Sequence, residues 1–170
     1  MTLDDLGYRS KREVFPALVQ EFGLAVSPEE LFADFGLLLR QAQPMPHAAE
    51  VLAELRRRDV RLGLVTNGWS AVQRECLERC GLSGAFGVVL ISEEVGLSKP
   101  DPRIYTLALD ELEVTAEDAW FVGDSPRNDI QGPQEVGLRA AYLPGGHPLT
   151  SEQPDAVLRG LRDVLDLSEW

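Results

Sequence analysis

Three short stretches of the chain hold residues able to grip an anion and a divalent cation together. Thr66-Asn67-Gly68 supplies a hydroxyl, an amide and a glycine, which can give side-chain and backbone donors to an anion. The same letters also suit an ordinary turn, for which Asn-Gly is common. In Ser98-Lys99-Pro100-Asp101-Pro102, Pro100 biases Lys99 towards an extended backbone and Asp101-Pro102 opens a helix, so the ammonium is held in a defined pose. Only Lys11 and Lys99 are lysine, against fourteen arginines. A compact ammonium does work that a planar guanidinium does not. Gly123-Asp124-Ser125-Pro126-Arg127-Asn128-Asp129 places two carboxylates five positions apart where an apolar run enters a turn. Carboxylates completed by water and ligand oxygens are what magnesium prefers; the rival reading is a solvated acidic turn.

The elements that must position these groups alternate. Capping-box spacings at Ser10/Glu13 and Ser27/Glu30, with Pro28 at a first helical position, predict helices over Lys11–Phe22 and Pro28–Gln41, with Pro16 kinking or delaying the first. Pro44 and Pro46 mark a boundary. A helix His47–Arg58, with Val51, Leu52 and Leu55 on one face, leads to a strand Val60–Thr66. The pattern then predicts a helix Ser70–Cys80, a strand Phe86–Ser92 and a helix from Pro102 with Ile104, Leu107, Ala108 and Leu112 inward. A strand Ala119–Gly123 follows, then a helix Asn128–Val136 interrupted near Gly132-Pro133, a strand Arg139–Leu143, a short apolar Ala156–Leu158 and a helix Arg159–Leu165. Strands alternating with helices imply an α/β fold: a mostly parallel, Rossmann-like sheet flanked by helices. Ligands of such sheets sit beyond the carboxyl ends of the strands, where Thr66, Asp124 and Ser125 fall and which Lys99 reaches by a loop.

At 170 residues, 44% apolar and 26% charged, the chain has the make-up of a globular protein able to bury a core. No apolar run is long enough to span a bilayer and no charged-then-apolar stretch suggests secretion, so no membrane is expected and the location expected is cytoplasmic. A net charge of -12 argues against nucleic acid as partner, because phosphate backbones need a cationic footprint. Cys76 and Cys80 share one helix face, badly placed for a disulfide, and read as buried thiols. His47 and His147 read as exposed.

In this order, over Pro44–Pro144, the three stretches resemble motifs two, three and four of the haloacid dehalogenase (HAD) superfamily. The resemblance implies a magnesium-dependent phosphatase of small phosphorylated metabolites. Thr66 and Asn67 would hold the phosphate, Lys99 would bind and orient it as a catalytic residue, and Asp124 and Asp129 would serve magnesium. The Gly-Asp-Ser form of the last motif looks more like the phosphatases than the dehalogenases. Residues 1–43 resemble part of the family's helical cap, and 44–170 its α/β core.

One part of the family pattern is missing. Its first motif, a strand ending in Asp-x-Asp, carries the nucleophile, and Asp4-Asp5 cannot stand in for it. That strand lies in the family between the strands read here as Val60–Thr66 and Ala119–Gly123, so both are expected to show an unpaired edge. The expectation is a truncated N-terminus. The alternatives are direct pairing of the two strands and a strand donated by a second copy, through self-association at the open edges, or by another chain. An inactive remnant or a non-catalytic anion-binding protein is the other functional reading.

Overall fold

The computed structural model describes residues 9–167. It divides into two compact units, Met1–Ala42 and Gln43–Trp170. No helix among the described residues is long and apolar enough to cross a membrane.

The first unit is a helical pair, α1 (Lys11–Phe22) and α2 (Pro28–Leu39). The capping box at Ser27/Glu30 forms in both directions, at 2.7 and 3.2 Å. The one expected at Ser10 does not: Ser10 Oγ accepts from the Arg12 amide instead, and Arg9 draws the Glu13 carboxylate. Nor does Pro16 break or delay α1, which starts at Lys11 and ends at Gly23 in the left-handed region. Pro16 is exposed, so its ring meets solvent rather than the core. Phe15 is buried and packs edge-on against Phe32 and Phe35, ring centres 4.9 and 5.6 Å apart.

In the second unit α3 (Ala48–Arg57) leads to β1 (Gly63–Thr66), α4 (Ser70–Arg79), β2 (Val88–Ile91) and a single-turn α5 (Ser92–Val95). Then come α6 (Pro102–Leu112), β3 (Trp120–Gly123), a π-turn Pro126–Gln131, α7 (Gly132–Glu135), β4 (Arg139–Tyr142), β5 (Ala156–Val157) and a 3-10 turn Leu161–Asp166. The strands are shorter than their apolar runs. Val60 is spent closing α3, its amide donating back to Leu55 O at 3.0 Å. The helix expected from Asn128 starts earlier, as the π-turn, and Gly132-Pro133 does not interrupt it. Pro133 lies in the first turn of α7, where a missing N–H costs nothing. The final helix is 3-10.

All pairing is parallel, in two sheets: β1 with β2, and β3 with β4 with β5. Among the described residues β1 and β3 do not pair, so the direct closure considered above is not formed. Helices cover both faces. Val51 and Leu55 of α3 pack with Ala141, Leu143, Leu158 and Val164 on one. Ile104, Tyr105 and Ala108 of α6 pack with Leu90 and Leu138 on the other. Cys76 and Cys80 are only half-buried, because α4 turns much of its surface to solvent. His47 is exposed as expected, whereas His147 is half-buried, its carbonyl accepting from the Tyr142 hydroxyl.

Candidate active site

Lys99 ties the site together. Its ammonium donates to Asp129 Oδ1 at 2.7 Å, with the two side chains only 12% and 7% exposed. Its backbone is held from the other direction. Asn67, the residue after β1, donates from Nδ2 to Lys99 O and accepts the Lys99 amide at Oδ1, both at 2.8 Å. An amide side chain that satisfies one residue's N–H and C=O together fixes that residue as a strand neighbour would. Asn67 was read from sequence as a phosphate ligand. In the structure its side chain is engaged by the Lys99 loop, and Thr66 is the residue of this pair that lines the cavity with Lys99. Gly68 follows with φ 153° and donates to Ser92 Oγ at 3.0 Å. A side chain there would be strained and would meet Gln73 at 2.7 Å.

The acid pair is held by main-chain donors. Asp129 Oδ2 accepts the Ser125 amide at 3.0 Å, which turns the π-turn back over the end of β3. Gly123 leaves the room: a Cβ there would come within 2.5 Å of Asp129 Cβ. Asp124 Oδ2 accepts the Gly146 amide at 2.7 Å, from the loop after β4. A Cβ on Gly145 would meet the same oxygen at 2.7 Å. Beneath Lys99 lies an aromatic floor, with the ammonium 5.3 Å from the centre of the Phe121 ring and that ring edge-on to Tyr105 at 5.4 Å. Tyr105 is fully buried and its hydroxyl donates to Asn128 O at 2.6 Å, bracing the π-turn. Burial pushes its phenol pKa well up, and the negative charge of Asp129 adds to the shift.

Thr66, Lys99, Asp124 and Asp129 line one cavity of about 930 Å³, at the carboxyl ends of β1 and β3. Asn67 and Ser125 are not among its lining residues. Among the described residues no group of three or more His, Cys, Asp or Glu side chains converges as a metal cage. Two carboxylates nevertheless suit magnesium, which keeps several waters and takes one or two protein carboxylates plus phosphate oxygens. Asp124 is the better placed, with one oxygen outside its bond to Gly146; Asp129 has both oxygens engaged and suits contact through water. Sequence reasoning missed Gly145, Gly146 and Tyr105. The Pro144-Gly145-Gly146 run directly after a strand end was the available signal for the first two.

The sequence model of the haloacid dehalogenase-like hydrolases matches residues 5–137. The chain belongs to that family. It is 40% identical over 147 residues to a phosphoserine phosphatase of Thermus thermophilus, covering 86% of this chain and 58% of that protein. It is 36% identical over 115 residues to the pyrimidine 5'-nucleotidase YjjG of Escherichia coli, covering 67% of this chain and 49% of that one. This HAD chain thus spans about half to three-fifths of the length of such relatives. Among solved structures, the HAD-hydrolase YfnB of Bacillus subtilis, bound to magnesium, superposes with a TM-score of 0.82 at 26% identity, covering 95% of this chain and 74% of that one.

Proposed function

We infer that this chain carries the phosphate- and magnesium-binding part of a HAD phosphatase acting on small phosphorylated metabolites in the cytoplasm. The observation that carries the reading is the 2.7 Å contact of Lys99 with Asp129 on the wall shared with Thr66 and Asp124. A named phosphoserine phosphatase and a nucleotidase among the relatives support the substrate class. A net charge of -12 makes the local cation indispensable, since any anion must be drawn against the overall field. Residues 1–43 act in this reading as part of a helical cap.

Each side chain has a distinct task. The Thr66 hydroxyl donates to a phosphate oxygen. Lys99 holds a second oxygen while it restrains Asp129, so ligand charge and acid charge share one ammonium. Asp124 and Asp129 would hold magnesium, which when bound neutralises charge on the phosphoryl oxygens. In this reading neither acid is the nucleophile, because both are assigned to magnesium. The attacking carboxylate is a third one, and positioning it in line is most of the catalysis.

Calorimetry with magnesium, then with vanadate in its presence, tests binding; hydrolysis of p-nitrophenyl phosphate tests turnover. Binding of both is expected, weakened on Asp124→Ala and on Lys99→Arg, whose planar fork does not fit the niche of an ammonium. Binding without turnover favours the second reading, a non-catalytic anion-binding protein, for which the two-carboxylate set is the specific support. A folded chain that binds neither ion sinks both.

A further inference from the structure

Tyr105 carries a buried hydroxyl with no part in the chemistry so far assigned. The cluster it completes needs no oxygen: Leu90, Ile104, Ala108 and Leu138 are all apolar, and phenylalanine would extend the stripe of α6 equally. A hydroxyl taken out of water costs free energy unless it is bonded. The reason for tyrosine therefore lies in the bond to Asn128 O. The chain also leaves room for that oxygen. Gly132 follows the π-turn, and a Cβ there would meet the hydroxyl and come within 2.8 Å of the ring carbon that bears it.

The bond falls on the one peptide that decides where Asp129 points. Asn128 C=O and the Asp129 N–H belong to the same planar unit. Tyr105 holds its oxygen at 2.6 Å, and Ser125 O accepts its N–H at 2.7 Å. With both polar atoms tied, the plane cannot rotate, and the Asp129 side chain leaves the backbone in one direction. Its carboxylate then meets the Ser125 amide and the Lys99 ammonium together. Asn128 Oδ1 is buried with no hydrogen-bond partner among the described residues, so no spare donor stands ready to replace the phenol. The same phenol ring backs Phe121, over which the Lys99 ammonium sits. Tyr105 thus supports both members of the ion pair.

We propose that Tyr105 is a positioning residue of this site: by fixing the 128–129 peptide, its hydroxyl sets the direction of the Asp129 carboxylate and with it the affinity for magnesium. The magnesium part rests on the function proposed above; the geometric part does not.

The test compares the full chain with Tyr105→Phe, which removes the oxygen and keeps the ring. Hydrogen exchange at the Asp129 and Ser125 amides should quicken about tenfold, while amides of β4 keep their rates. Magnesium affinity by calorimetry should fall about tenfold, the worth of one bond to a buried acceptor. In an Asp129→Asn background the same substitution should change magnesium affinity less than about twofold, because its effect passes through that carboxylate. Ile104→Val, a buried truncation on the same helix, should leave the affinity within about twofold of wild type. Unchanged exchange at Asp129 in Tyr105→Phe overturns the proposal. So does a loss of affinity that persists in Asp129→Asn, or one that Ile104→Val reproduces, since either would make Tyr105 an ordinary core residue. A wild-type chain that binds no magnesium sinks the function proposed above and the metal part here, and the exchange rates still decide the geometric part.

Discussion

The two half-sheets are ladders of the same kind, yet they end differently. Beyond β3 both acids are fixed before any ligand arrives, Asp129 by Lys99 and Ser125 and Asp124 by Gly146. Beyond β1 the fixed residue is Asn67, which spends its amide on the Lys99 backbone, while the Thr66 hydroxyl makes no hydrogen bond among the described residues. One half is preset to hold charge; the other holds the cation's loop and keeps a donor in reserve. Lys99 belongs to both, and joins them across the gap at their carboxyl ends.

The largest effect expected from breaking this asymmetry is at Asp129. Asp129→Ala leaves a largely buried ammonium with no counter-charge and the Ser125 amide with no acceptor, and should cost about 3 kcal/mol, read from urea midpoints. A loss below about 1 kcal/mol would mean that Lys99 swings out to water and that the halves are not joined there. Gly132→Ala comes next. Its φ of -57° admits alanine without strain, and helix propensity alone would favour the change by up to ~1 kcal/mol. The added methyl, however, would meet the buried Tyr105 ring at 2.8 Å, an overpacking cost of about 1–3 kcal/mol. A net loss of ~1–2 kcal/mol is expected, and a stabilised variant would show the π-turn to be less rigidly braced than described.

On the other half, Asn67→Ala should cost under about 1 kcal/mol, since the pair of bonds is exposed. Vanadate affinity should fall several-fold as the Lys99 loop loosens. Unchanged affinity would transfer control of that loop to the halves' cores. The smallest effect concerns Asp101, the cap of α6, whose pKa is lowered from 3.8 to about 2 chiefly by the Arg103 side chain and then by its amide. A depressed carboxylate stabilises the fold above its unfolded pKa, and the contribution fades as pH falls from ~4 towards ~2. The stability gap between wild type and Asp101→Ala should therefore close across that window, and a constant gap would contradict the assignment.

How much of this was legible varies with the range of the interaction. α1 and the capping box at Ser27 lie in local spacing, and the sequence alone bounds them. Lys99, Asp124 and Asp129 stand out because strand ends and prolines constrain their surroundings. The bonding of Asn67 to Lys99 is not legible because its partner is a main chain 32 positions away, which no local pattern encodes. Tyr105 escaped notice since its neighbours in α6 already fill a plausible apolar stripe, and its hydroxyl serves a turn 23 positions on. The strands were read too long because apolar letters continue into turns, as at Val60.

The loop after β4 reaches sideways to its neighbour, and this has a consequence for alignment. Gly146 and Asp124 follow adjacent strands, β4 and β3, so their 2.7 Å contact doubles as a gauge of how those strands are matched. Sliding one past the other by a single residue would shift the amide about 3.3 Å, and the carboxylate would lose its donor. A misthreaded sheet would thus leave this acid unheld even if every helix had found its place.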